Sequence, residues 1–221
     1  MYVDSSKECN DLTFQIGPED FFNRGWQIKV TQLSCDSPVL APQGCTQYFY
    51  NTDGLGTVQS YNFDGGLHLA DQRHTFCVRQ ERGNCRICWS ATNDEDVAVS
   101  GKDRPVPRGR RGQERCCRYL RDGINSFGFD CIHIPGAESI DGAPQLDRVC
   151  GREAGLASKA SRQPTTLCST KTPFQIQFTS DSYEATGVDG RGRPLESSSL
   201  SPDIGMRLGY FQDSRNCFDA V

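Results

Sequence analysis

The chain has 221 residues, twelve of them cysteine, and a formal net charge of −4. That length allows one large β-domain, or one and a half ordinary domains, with a true core, and so mild a charge argues against a nucleic-acid or membrane-surface partner. The even, high cysteine count points to an oxidising, extracellular setting in which disulfides persist, and no apolar run approaches the ~20 residues that span a bilayer.

The first residues, Met1–Glu8, have neither the basic start nor the apolar stretch of a secretion signal. A disulfide-rich chain with such a start is expected to be part of a longer secreted protein, with Met1 internal to it. After this come short alternating runs, taken in order: Leu12–Ile16, Trp26–Leu33, Thr46–Tyr50, Thr57–Phe63, Thr75–Gln80, Cys85–Ser90, Asp96–Ser100, Phe129–Ile134, Phe174–Thr179 and Met206–Phe211. Each is β-branched or aromatic and bounded by Gly, Pro, Asn or Asp, the pattern of a half-buried strand. In Phe174-Gln175-Ile176-Gln177-Phe178 the apolar face is Phe174, Ile176 and Phe178, and the glutamines face water. Ten such runs and no convincing helix predict an all-β, antiparallel sandwich stapled by disulfides.

Two stretches read as inserted loops: the basic, proline-bearing segment at 101–114 and the Gly/Ser-rich segment at 183–202. Within the first, Arg108-Gly109-Arg110-Arg111 matches the pattern cut by furin-like processing proteases; an exposed loop would offer it extended backbone.

The chain also resembles itself. Leu12–Ile16, then Gly25-Trp26-Gln27-Ile28-Lys29-Val30-Thr31-Gln32 and Cys35, parallels Phe174–Phe178, then Gly205-Met206-Arg207-Leu208-Gly209-Tyr210-Phe211-Gln212 and Cys217. Residues 1–34 therefore read as the closing strands of a preceding domain, and 35–221 as a whole second domain.

Cys85-x-x-Cys88 with Cys116-Cys117 has four thiols, but vicinal cysteines cannot easily turn both sulfurs to one zinc ion. Structural bridges from Cys85 and Cys88 to Cys116 and Cys117 are the simpler reading. Catalysis finds no motif: there is no Gly-x-Ser-x-Gly, His-Glu-x-x-His or phosphate loop, and the histidines are His68, His74 and His133. A non-enzymatic chain is expected. His133 alternates with Ile132 and Ile134, so it is predicted to face outward.

Residues 45–217 resemble a CUB domain. The resemblance lies in five elements in order: Cys45 ahead of Gly56-Thr57-Val58-Gln59-Ser60-Tyr61; Cys77 in its strand; Phe129-Asp130 before Cys131-Ile132-His133-Ile134; Cys150-Gly151; and Phe178-Thr179-Ser180-Asp181 followed by Gly205 and a closing strand. The whole looks like the CUB-containing secreted proteins of arthropods, preceded by the tail of another CUB-like domain. The resemblance implies a jelly-roll-type sandwich, a Cys45–Cys77 bridge and a Cys131–Cys150 bridge. Arg79 stands where the family usually has tryptophan. The family's cysteine two positions before the aspartate is replaced by Gly128, so Cys150 could pair instead with Cys116 or Cys117.

The resemblance also implies a calcium site on Asp130 and Asp181, with Asp122 where the family usually has glutamate. A hard cation needs six or more oxygens, several of them anionic. The function it implies is non-catalytic extracellular recognition of a protein or glycan by loops on a rigid scaffold. The alternative is a structural subunit of a matrix, secretion or filament that self-associates through edge strands.

Overall fold

The computed structural model describes residues 1–5, 9–14, 25–65, 68–93, 96–99, 117, 130–145, 147–152, 157–158, 163–164, 166–180, 204–215 and 217. Its strands, in chain order, are β1 (Gln47–Phe49), β2 (Leu55–Gln59), β3 (Arg73–Val78), β4 (Arg86–Ser90), β5 (Val97–Val99), β6 (Cys131–His133), β7 (Glu138–Ser139), β8 (Arg148–Val149), β9 (Gly151–Arg152), β10 (Ala157–Ser158), β11 (Gln163–Pro164), β12 (Leu167–Ser169), β13 (Phe174–Thr179) and β14 (Gly205–Asp213). One sheet runs β1-β3-β13-β6-β8; the other runs β7-β12-β4-β14-β5-β9, with β2 also paired to β14. β10 and β11 form a separate antiparallel pair.

The alternating side-chain period explains how the sheets meet. On β13, Phe174, Ile176 and Phe178 are buried, and on β14 so are Met206, Leu208 and Tyr210. Across the first sheet, Ile176 lies opposite Phe76 of β3, and Phe178 lies opposite Ile132 of β6. On the other sheet Tyr210 lies opposite Trp89, and Leu208 opposite Val58. These two inner faces make one continuous apolar core. Gly56 sits opposite Tyr210, and a Cβ there would run into the tyrosine ring.

The sandwich is thus as expected, with three refinements. The described strand pairs are antiparallel except β1 with β3, which is parallel. The short strands β7 to β12 have no counterpart among the predicted runs, because two or three residues are too few to show a period. Trp26–Leu33 and the described part of Leu12–Ile16 are not strands, and their large apolar side chains are exposed.

The bridges follow strand neighbourhood. Cys45 bonds Cys77, joining the entrance of β1 to its neighbour β3. Cys85 bonds Cys217 and Cys88 bonds Cys168, so the expected links from Cys85 and Cys88 to Cys116 and Cys117 are corrected. The reason is register: Cys88 faces Cys168 directly across the β4–β12 ladder, with Cα atoms 3.9 Å apart, and the Cys85 N–H donates to the Asp213 carbonyl at the end of β14. Cys131 bonds Cys117, not Cys150. Cys150 is itself disulfide-bonded and packs beside Cys131 and Cys117. Cys116, Arg108, Arg110, Arg111, Asp122 and Asp181 lie outside the described residues, as do the predicted insertions at 101–114 and 183–202.

Candidate functional site

Ladder register brings the chemistry to one end of the sandwich. Thr179, the last residue of β13, pairs with Cys131, the first of β6. Ser180 and Asp130 therefore leave adjacent strands at the same end. The described parts of the link from β2 to β3, residues 60–65 and 68–72, pack at that end.

Four side chains hold this segment. Ser60 Oγ accepts the Met206 N–H at 3.1 Å, while the Ser60 N–H donates to the Met206 carbonyl at 2.9 Å. Ser180 Oγ donates to the Leu69 carbonyl at 2.6 Å and accepts the Gln72 N–H at 2.9 Å. His68 Nε2 lies 2.8 Å from Asp130 Oδ2, both side chains being shut off from solvent, and the imidazole meets the Phe178 ring edge-on at 5.6 Å. Arg207 lies over the Phe63 ring at 4.3 Å and pairs with Asp64, pinning the single turn of 3-10 helix at Phe63–Gly65. Leu69 stands exposed on the segment.

Gly205 is what admits this packing. It has φ +98°, and a Cβ there would collide with Ser60 Oγ and press on the His68 Cβ. Gly205→Ala is expected to destabilise the fold by about 1–3 kcal/mol through backbone strain and displacement of Ser60. Urea denaturation measures this; a change below about 0.5 kcal/mol, the level of an ordinary surface substitution, would show that the close approach is unimportant.

Burial pushes the His68 imidazole down to about 4. At neutral pH it is therefore uncharged, and its Nε2–H is the donor to the Asp130 carboxylate. Burial also lowers His74, whose ring stacks edge-on against Tyr61 at 4.5 Å and whose Nε2 bonds Gln72. Both histidines bind protons more readily unfolded than folded, so each contributes stability that is full above the unfolded value near 6.5 and is lost as pH falls through its folded value, about 4 for His68. For His68 alone the loss is about 3 kcal/mol across that window. Melting temperature followed from about pH 7 to about pH 4 should fall steeply, and His68→Gln should flatten the slope; a flat wild-type profile contradicts a neutral, buried His68.

Of the predicted calcium ligands, Asp130 alone is among the described residues. Its Oδ2 lies 2.8 Å from His68 Nε2; Asp122 and Asp181 lie outside the described residues. His68, Ser60 and Ser180 went unmarked as site-builders in the sequence reading. The signal for Ser180 was present in Phe178-Thr179-Ser180-Asp181; none in the sequence joins His68 to a residue 62 positions away. His133 is half-buried, in keeping with its alternation with the buried Ile132 and Ile134, and its Nε2 reaches Asp147 at 3.3 Å. Arg79, in the place of the family's tryptophan, lies over the Tyr50 ring at 5.2 Å and bonds Glu81 at 2.8 Å.

The sequence profile of the family described as "Animal CUB domain" matches residues 42–213. No curated protein matches the chain. Among solved structures, the chain is similar to the CUB1-EGF-CUB2 domains of rat MASP-1, with 12% sequence identity and a TM-score of 0.38, covering 75% of this chain and 42% of that one. The chain thus spans less than half the length of that structure.

Proposed function

The chain belongs to the animal CUB domain family, and we propose that it is a secreted recognition module whose contact surface is the end of the sandwich closed by Ser60–Gln72. CUB domains are extracellular protein-binding modules without catalytic activity, and the bridged cysteines accord with an oxidising setting. The observation that carries the reading is the way Ser60, His68, Asp130 and Ser180 hold the segment from both sheets. Side chains held in place before binding lose little conformational freedom on contact, and that saving goes into affinity. Leu69 supplies an exposed apolar contact on it.

The test is a binding screen of the folded protein against immobilised extracellular proteins and glycans. A partner retained by the wild type and lost with Leu69→Asp, at unchanged melting temperature, supports the reading. A partner that binds Leu69→Asp normally but is lost with Gln177→Arg, on the outer face of β13, refutes it. The structural alternative predicts self-association, which light scattering detects.

In this reading protein hydrogen bonds, Asp130 with His68 among them, hold the loop end without a metal. Melting at about 5 mM calcium should match melting in chelator to within about 1 °C, since a ligand stabilises only in proportion to its binding. A rise of several degrees would restore calcium on Asp130, with Asp122 and Asp181 as its other ligands.

A further inference from the structure

Residues 25–34 have the pattern of a strand and no sheet. Trp26, Ile28 and Val30 alternate with Gln27, Lys29 and Thr31, yet they are 54%, 52% and 79% exposed. Leu12 and Phe14 are exposed as well, and the Phe14 ring packs on Trp26 at 4.9 Å. Single exposed apolar residues are ordinary; a group of them in one short region marks a covered surface whose cover is elsewhere. The cysteines point the same way. Cys9 and Cys35 are free and exposed, and they bracket this region, while the other nine described cysteines are bridged.

The chain's own closing strands say what the cover is. Gly25-Trp26-Gln27-Ile28-Lys29-Val30-Thr31-Gln32 aligns residue by residue with Gly205-Met206-Arg207-Leu208-Gly209-Tyr210-Phe211-Gln212. Trp26, Ile28 and Val30 then stand where Met206, Leu208 and Tyr210 stand, and these three are 0%, 0% and 5% exposed in the sandwich. Cys35 follows Gln32 by three residues, as Cys217 follows Gln212 by five, and Cys217 bonds Cys85 at the start of a neighbouring strand.

We infer that residues 25–34 are a closing strand of a second sandwich of the same type, and that Trp26, Ile28 and Val30 dock into the core of that sandwich. The occupant of the exposed face is a CUB-like sandwich that lacks its own last strand. A second copy of this chain does not qualify. Its β13 already pairs with β3 and β6, and its β14 with β2, β4 and β5, so the place is filled. Docking sets Cys35 beside a thiol of that sandwich. The two thiols then form a disulfide, releasing two protons and passing two electrons to an exchanging small-molecule disulfide, which takes up both and is reduced to two thiols. The inference stands apart from the loop-end reading and does not depend on it.

Disulfide mapping of the protein as secreted is the experiment. Cys35 is expected in a bridge to a cysteine peptide from outside the 221 residues, with Trp26 protected from oxidative labelling. Cys35 recovered as a free thiol, bridged to Cys9, or bridged to another Cys35 overturns the inference. Light scattering of the 221-residue chain gives a second reading: a monomer agrees with it, whereas a dimer that Ile28→Lys dissociates would mean that a second copy is the occupant. Replacing Trp26 and Ile28 together by serine should shift the melting temperature by less than about 2 °C, because their face belongs to another core; a larger fall would place them on this one and overturn the inference.

Discussion

Arg86→Met should lower the free energy of unfolding by about 3 kcal/mol, the low end of the range for breaking a buried ion pair, because the Asp213 left behind keeps 22% of its side chain exposed. The guanidinium is 1% exposed and lies on β4, where a charged group survives only if its donors are met. Nε donates to Asp213 Oδ1 at 3.1 Å, Nη2 to Asp213 Oδ2 at 2.6 Å and Nη1 to the Ile140 carbonyl at 2.9 Å. One side chain therefore ties β4, the end of β14 and the turn after β7 together. The bidentate geometry is specific to arginine, so Arg86→Lys should recover only part of the loss. Burial works to raise the Asp213 carboxyl, but the Arg86 hydrogen bonds and charge, with the Arg215 N–H, hold it below the usual value. A lowered carboxyl stabilises the fold above its unfolded value near 4 and ceases to do so as pH falls through the folded one; the Arg86→Met variant should lack that share of acid sensitivity. Arg215, 60% exposed and 3.9 Å from Asp213, is the control, and its alanine variant should change stability by less than about 1 kcal/mol. Equilibrium denaturation of the three variants decides. A loss below about 1 kcal/mol for Arg86→Met would mean that the network is ornamental.

Trp89→Ala is the second large effect, about 3–5 kcal/mol, from lost burial and the cavity left behind. Trp89 is fully buried, packs on Tyr210 with ring centroids 5.5 Å apart, and joins the cores of β4, β12 and β14. Its Nε1 is buried and has no hydrogen-bond partner among the described residues. Phenylalanine discards that unpaired donor along with some volume, so Trp89→Phe should lose only about 1–2 kcal/mol. Circular dichroism is the suitable probe, since the chain's other tryptophan, Trp26, is exposed and emits regardless of folding. Equal losses for the two variants would show that an aromatic ring at position 89 contributes nothing to the packing.

Much of this was legible in the sequence because alternation reports one local fact, which face of a strand meets the core. Phe174–Thr179 was bounded correctly to the residue, since three apolar side chains at period two leave no other face to bury. Trp26–Leu33 carries the same signal and is no strand here, because the period says that a face should be covered and cannot say by what. Arg86 is the opposite case. A charged residue within an apolar run looks like the solvent side of a strand, and only the carboxylate 127 positions away makes its burial possible.

The cysteines divide along the same line. Their number, parity and setting follow from composition, and so does the expectation of an extracellular sandwich. Which sulfur meets which depends on strand neighbourhood: Cys88 is 80 residues from Cys168, and Cys85 is 132 from Cys217. The loop end has the same origin, with Asp130 readable as a family position and its histidine partner assigned by β6 and β13 meeting side by side. Local pattern thus determined the longer strands, the class and the expected compartment. Long-range register, which depends on how two sheets close around one core, decided the bridges, the buried ion pair and the donor that stands against Asp130.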